Sequence, residues 1–173
     1  MGARHDRVEK IVTRKSFETR NDMDARVRRQ MVRLLNQQLA DTFDLMSQTK
    51  HVHWNIKGPH FIGLHKMLDE FVEGLEEYVD VIAERATALG GPAAGTLRMA
   101  ADATRLHEYP IDITRDMDHL RALADRYAAL GEYTRKAIKI AESADDQDTM
   151  DLFVDVSRDL DKWLWFIEAH LQA

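Results

Sequence analysis

Apolar residues recur every three or four positions along four long stretches of the chain, which is the spacing of one face of an α-helix. The four stretches cover about 21–54, 60–89, 111–142 and 146–171. The dipeptide Gly58-Pro59 separates the first two, and the segment Gly90-Gly91-Pro92 ends the second. Since Gly and Pro interrupt regular structure, the pattern predicts four long amphipathic helices and an all-α fold.

The connections between these predicted helices are short, long and short. The long one covers about 91–111, and its Ala-rich part, 93–103, predicts a short helix. A crossover of this length between the second and third helices can return along a whole helix, which a simple up-and-down bundle does not need. The pattern therefore predicts a ferritin-like four-helix bundle over 21–173, in which Asn21 or Asp22 caps the first helix.

Composition limits the chemistry available to this bundle. The chain has 173 residues, 8 histidines and no cysteine. A disulfide framework, a thiolate metal site and a cysteine nucleophile are therefore excluded. Histidine is left as the only strong nitrogen ligand for a metal. The length is typical of one domain.

The charge is unevenly distributed along the chain. Residues 1–20 contain six basic and three acidic residues, a net charge of +3, although the whole chain carries −6. A basic tail on an acidic body predicts an anionic partner for the tail and cation handling by the body. The candidate DNA-binding residues are Arg4, Arg7, Lys10, Arg14, Lys15 and Arg20. No apolar run is long enough for a membrane span or a secretory signal, so we expect the cytoplasm and no membrane partner.

One arc of the second predicted helix carries a histidine and three carboxylates. His65, Asp69, Asp80 and Glu84 are separated by spacings that bring all four onto one side of the helix. This donor set suits Fe(II), Mn(II) or Zn(II). However, His65 and Glu84 lie roughly 28 Å apart along the axis, so one helix cannot gather them around one ion.

Two antiparallel copies of this helix would close the site. The pairs 65/84 and 69/80 share one midpoint, near Gly74, so a two-fold axis there would bring His65 to Glu84 and Asp69 to Asp80 of a second copy. Gly74 would allow the helices to approach closely. A solvated acidic face and an ordinary structural histidine remain the alternative interpretation, because acidic residues usually line the exposed side of such a helix.

The end of the first predicted helix adds His51, His53 and Trp54. The short turn after it brings His53 towards His65 and Asp69. Taken alone, His51 and His53 are more typical of a surface than of a metal site, and Trp54 is more typical of a core than of a redox neighbour. The other five histidines lack a matched carboxylate spacing and are expected to be structural or solvent-exposed.

Six segments together resemble the Dps family, the starvation-induced, DNA-protecting miniferritins. The segment 49–61, TKHVHWNIKGPHF, resembles the family's first signature. The further segments are 65–71, 80–85, 109–110, 124–127 and 157–166. The resemblance covers about 19–170.

This resemblance implies an iron-oxidising enzyme. It implies a hollow shell of twelve subunits and a ferroxidase site between two-fold-related subunits. His53, His65 and Asp69 would come from one subunit, and Asp80 and Glu84 from its partner. Iron is the implied metal, oxidised from Fe(II) to Fe(III) and then stored, with hydrogen peroxide preferred over oxygen. Trp54 is the matching aromatic beside the site, where it would intercept stray oxidising equivalents.

Three alternatives stay open at this point. The first concerns the tail, which either has a purely structural role, since Val8, Ile11 and Phe17 are apolar, or binds DNA phosphates without reading sequence. The second is a protein that compacts the nucleoid and has an inactive or structural metal site. An intrachain di-iron site is disfavoured because no Glu-x-x-His occurs.

The sequence also suggests secondary roles for other charged residues. Asp125, Asp145, Asp146 and Asp148 are candidates for an iron-access channel, and Glu73, Glu76 and Glu77 are candidates for mineral nucleation. Arg85 and Asp161 are expected to form an ion pair. For the acidic residues, a solvated helix face or a helix cap is the alternative.

Overall fold

A computed structural model describes residues 16–172, and the chain over this range forms five helices without a strand. We number the helices in chain order. They are α1 (Ala25–Asn55), α2 (Phe61–Ala88), α3 (Leu97–Ala103), α4 (Asp116–Ser143) and α5 (Gln147–Leu171). The predicted all-α bundle with a short helix in its crossover is confirmed. In the described part of the chain, none of the helices combines the length and apolarity that a membrane crossing requires.

The ends of α1 and α4 differ from the predicted bounds. Asp24, rather than Asn21 or Asp22, caps α1, because its carboxylate accepts from the backbone N–H groups of Arg26 and Val27 at 2.7 and 3.3 Å. Asn21 instead accepts from Met23 N–H in the preceding turn. At the other boundary, α4 begins at Asp116, so five residues after Pro110 belong to the crossover.

The bundle consists of two helical hairpins, α1 with α2 and α4 with α5, which pack around one apolar core. Tyr127, Phe71 and Phe153 are among the largest side chains that are fully buried there. The turn between α1 and α2 contains Gly58, whose φ of +127° favours glycine. This hairpin positions the end of α1 beside the start of α2.

Buried polar groups hold the crossover against α1. The Asn36 side chain accepts from Ala94 N–H at 2.6 Å and donates to the carbonyl of Pro92. Further along, Arg105 donates to the fully buried carboxylate of Asp41. Burial raises the pKa of Asp41, and Arg105 opposes that rise. The crossover is therefore fixed by satisfied buried groups as well as by apolar contacts.

Candidate metal centre

His53 and His65 form a reciprocal pair across the α1–α2 hairpin. His53 Nδ1 lies 2.8 Å from the His65 carbonyl oxygen, and His65 Nδ1 lies 2.8 Å from the His53 carbonyl oxygen. The two rings stack with a centroid separation of 3.7 Å and an interplanar angle of 21°. Each histidine is therefore oriented by the backbone of the other.

These contacts determine which ring nitrogen is free. A backbone carbonyl only accepts hydrogen bonds, so each Nδ1 must carry the proton and donate. In the neutral tautomer that this arrangement selects, Nε2 carries the lone pair with which imidazole binds a metal ion. Metal-binding histidines in proteins are commonly fixed in this way by a carbonyl on the second ring nitrogen. The pair is thus arranged as two neighbouring metal ligands.

Asp69 adds a carboxylate to this pair. Its Oδ1 lies 3.7 Å from His53 Nε2 and accepts a hydrogen bond from Lys50 Nζ at 2.6 Å. The Lys50 ammonium is the main reason why the pKa of Asp69 is lowered, and burial partly opposes it. The carboxylate is therefore ionised at neutral pH. His53, which stacks on His65, therefore approaches an ionised carboxylate at one end of the bundle, where the sequence predicts part of a metal site.

Asp80 and Glu84 do not join this group within one subunit. Both side chains are exposed further along α2, and Asp80 is roughly 16 Å from Asp69 by helical rise. Within residues 16–172, no three histidine or carboxylate side chains of a single subunit converge closely enough to hold a metal ion. One subunit therefore supplies only part of the expected ligand set.

Large apolar side chains are exposed around His53, His65 and Asp69. Trp54 is 69% exposed, Ile62 61% and Phe61 41%, and the Phe61 ring lies 5.1 Å from that of His65. Exposed apolar groups that cluster beside polar ones are typical of a protein–protein contact. This feature agrees with a site that another subunit completes, as the sequence predicts for Asp80 and Glu84.

The structure gives Gly74 a role within its own subunit. A Cβ at this position would lie 2.6 Å from Trp163 Cζ2 and 2.8 Å from Trp163 Cη2 of the same subunit. The glycine therefore makes room for the indole on α5. Its expected role in a close approach between two copies of α2 stays a prediction.

The expected ion pair between Arg85 and Asp161 is wrong. Arg85 donates instead to Asp146 at 2.7 Å, while Asp161 accepts from Arg135 at 2.8 Å. Asp146 is 2% exposed and caps α5 by accepting from Thr149 N–H. It therefore serves structure and is removed from the channel candidates.

The remaining acidic candidates are accessible. Asp125, Asp145 and Asp148 are exposed, and so are Glu73, Glu76 and Glu77. Their roles in iron access and nucleation stay predictions.

The candidate DNA-binding residues fall mostly outside the described range. The candidates outside this range are Arg4, Arg7, Lys10, Arg14 and Lys15. Arg20 lies inside the range and is exposed. The first described residues are attached to the end of α2, because Phe17 N–H donates to the Gly90 carbonyl at 2.8 Å. The described part of the chain therefore begins beside the connection between α2 and α3.

Two features of this end of the bundle were not expected from the sequence. Lys50 contacts Asp69 across the turn, a pairing that no helical spacing reveals. His119 is buried and its Nδ1 lies 2.8 Å from the Tyr109 hydroxyl, while its Nε2 has no hydrogen-bond partner. Burial lowers the pKa of His119.

Known proteins with the same arrangement of helices are numerous. A family profile described as a ferritin-like domain matches residues 32–173. The DNA protection during starvation protein of Agrobacterium fabrum is 45% identical over 91% of this chain and 98% of its own length. Among solved structures, a tetragonal form of Mycobacterium smegmatis Dps has a TM-score of 0.86 at 35% identity and covers 90% of this chain and 94% of its own. DpsA14 from Streptomyces coelicolor has a TM-score of 0.87 at 34% identity and covers 92% and 95%.

Proposed function

Because this chain belongs to the Dps family of ferritin-like proteins, we propose that it is a ferroxidase that oxidises Fe(II) to Fe(III) and stores the product in a hollow shell. The observation that carries the proposal is the reciprocal bonding of His53 and His65, which leaves both Nε2 atoms free, with that of His53 3.7 Å from Asp69 Oδ1. A purely structural histidine pair would not need two free Nε2 atoms, one of which lies 3.7 Å from an ionised carboxylate.

Asp80 and Glu84 of a two-fold-related subunit complete the ligand set in this proposal. Both are exposed on α2, which leaves them accessible to a second copy. The exposed Trp54, Phe61 and Ile62 supply the apolar contact that holds the copies together. Two equivalent sites then form at each two-fold interface, because the contact is isologous. Twelve subunits make the shell that the family resemblance implies.

The side chains perform three tasks in this reaction. The imidazoles of His53 and His65 fix the position of the incoming Fe(II), and the carboxylates neutralise its charge and favour the ferric product. Two Fe(II) together donate two electrons to one hydrogen peroxide, which takes up two protons and leaves as two water molecules. Because both electrons are delivered together, no hydroxyl radical is released. The exposed face of α2, with Glu73, Glu76 and Glu77, then offers oxygen ligands to ferric ions.

Iron loading tests this proposal directly. Fe(II) is added without oxygen to the assembled protein, whose size is measured by light scattering, and hydrogen peroxide follows. We expect the absorbance of ferric iron to appear faster than in buffer and to co-elute with a large shell. The same experiment with oxygen in place of peroxide tests the oxidant preference.

Asp80→Ala is the decisive variant, and Asp151→Ala, another exposed aspartate, is its matched control. Asp80→Ala should lose iron oxidation while the shell still assembles, whereas Asp151→Ala should keep both. Full activity in Asp80→Ala would contradict the shared site.

DNA protection is the second part of the proposal. The Agrobacterium fabrum relative is named for DNA protection during starvation. Here the six basic residues of 1–20 would bind phosphates, and twelve tails on one shell would add their weak contacts through avidity. In this proposal the protein acts in the cytoplasm and associates with the nucleoid. Its binding to DNA weakens steeply as the salt concentration rises. Nucleoid compaction without iron chemistry remains the alternative.

Removal of residues 1–18 tests the tail. We expect the truncated shell to release plasmid DNA at a lower salt concentration than the full-length shell, while its iron oxidation is unchanged. Equal retardation of the plasmid by both proteins would refute DNA binding through the tail.

A further inference from the structure

Lys50 contacts the carboxylate of the candidate metal centre. It lies in the last part of α1, one residue before His51, and its Nζ is 2.6 Å from Asp69 Oδ1. The Lys50 side chain is 31% exposed and that of Asp69 46% exposed. The ammonium is thus a cation already located where the proposed reaction brings another cation.

Asp69 Oδ1 is also the atom that faces His53 Nε2, at 3.7 Å. A metal ion bound to both atoms would hold them roughly 3.0–3.4 Å apart, given ligand distances of about 2.1 Å. The observed separation is close to that span, so a small movement of the Asp69 side chain is enough. The oxygen that Lys50 occupies is therefore the one a metal ion on His53 would use.

A divalent ion and the ammonium cannot both stay on Oδ1 at low energy. With the ammonium at 2.6 Å and a metal ion at about 2.1 Å, the two cations would lie within about 5 Å of each other and repel. Lys50 has a flexible four-carbon stem and is partly exposed, so it can move its ammonium into water.

We propose that Lys50 is an exchangeable cation of the ferrous site, which neutralises Asp69 while the site is empty and withdraws when Fe(II) arrives. This inference rests on the proposed function of the same site. It assigns two effects to Lys50, one on metal affinity and one on the stability of the metal-free assembly. Lys50 weakens the binding of divalent ions, and it stabilises the metal-free assembly, in which Asp69 would meet the carboxylates of Asp80 and Glu84 from the partner copy.

Calorimetric titration of the assembled protein with Zn(II) alone tests the first effect. Zn(II) is suitable because it does not undergo oxidation. We expect Lys50→Gln to bind Zn(II) roughly two- to fivefold more tightly than the original protein, which is the range of a partly exposed ion pair. Lys50→Arg keeps the competing charge and should bind as the original does. Lys57→Gln removes an exposed charge from the following turn and serves as the matched control. It should leave the affinity unchanged.

Thermal unfolding without metal tests the second effect. Lys50→Gln should melt at a lower temperature than the original protein. Saturating Zn(II) should raise the melting temperature of Lys50→Gln by more than it raises that of the original protein. Lys50→Met retains the apolar contacts of the stem, so it should behave in the same way if charge is the cause. Unchanged melting in both variants would contradict this part.

The sign of the affinity change decides the inference. Equal or weaker Zn(II) binding by both Lys50→Gln and Lys50→Met would overturn it, because Lys50 would then serve only to orient Asp69. Asp69→Asn separates this result from a failure of the proposed function. If Asp69→Asn loses Zn(II) binding, the site is the metal site and only the inference about Lys50 fails. If Asp69→Asn binds Zn(II) normally, the proposed function fails with it.

Discussion

Replacement of Asp146 by Asn distinguishes a structural carboxylate from a channel carboxylate. Asp146 is 2% exposed, accepts from Arg85 Nη2 at 2.7 Å and caps α5 through Thr149 N–H at 3.1 Å. Asparagine keeps a capping oxygen but removes the charge. The Arg85 side chain, 16% exposed, then loses its buried partner. Breaking a buried pair in this way costs about 3 kcal/mol.

The expected loss is measurable by thermal unfolding at fixed protein concentration. A loss of about 3 kcal/mol corresponds to a fall in Tm of roughly 6–12 °C for a chain of this size. Asp148→Asn is the matched control, because Asp148 also contacts Arg85, at 3.3 Å, but is 82% exposed. Its loss should stay below about 0.5 kcal/mol.

Iron uptake by the folded shell completes this test. Asp146→Asn should take up Fe(II) at the rate of the original protein at temperatures well below its Tm. A variant that kept its Tm but took up iron slowly would refute the structural role of Asp146 and restore it to the channel.

Two further substitutions test the packing and the pH dependence of the fold. A Cβ on Gly74 would lie 2.6 Å from the Trp163 ring, whereas a Cβ on Gly63 would meet nothing within 4 Å. Gly74→Ala should therefore be less stable than Gly63→Ala by roughly 1–3 kcal/mol in thermal unfolding, and equal stabilities would refute the close contact. His119 has a lowered pKa in the folded state, so the unfolded chain binds more protons and the free energy of unfolding should fall as the pH drops below 6.5. This loss should be absent in His119→Phe, and a Tm difference between the two proteins that does not vary between about pH 5 and pH 7.5 would contradict the account.

The helices of this protein were predictable because their cause is local. The period of apolar residues and the glycine and proline interruptions are written in the chain itself. The cap of α1 was harder to predict, since Asn21, Asp22 and Asp24 all suit the position. Only the geometry of the turn decides among them, and it selects Asp24.

The pairings across the bundle were not predictable from one sequence. Arg85 contacts Asp146 instead of Asp161. This choice depends on the axial position of α5 relative to α2, which is set by the packing of the whole core. Lys50 reaches Asp69 across a turn and nineteen positions. His53 and His65 were predicted from their spacing and from the family resemblance. The hydrogen bonds that orient their rings were not predictable, because they involve backbone carbonyls, which every residue carries.

Gly74 illustrates the same limit. Its place at the midpoint of the paired positions indicated a close contact between two copies of the helix. The contact that the structure shows is within the subunit, where the missing Cβ admits Trp163. The two-fold arrangement therefore depends on the ligand set and the exposed apolar residues, without support from Gly74.

Mixed shells test most directly whether each metal site is shared between two subunits. His65→Ala and Asp80→Ala shells should each be inactive alone, and the two proteins are then co-assembled in equal amounts. Half of the random two-fold interfaces are mixed, and each mixed interface has one intact site and one doubly altered site. We therefore expect the mixed shells to regain about a quarter of the original Fe(II) oxidation. If each site were built within one subunit, no mixture would restore activity. Mixed shells that are as inactive as the two parent shells would therefore contradict the shared site.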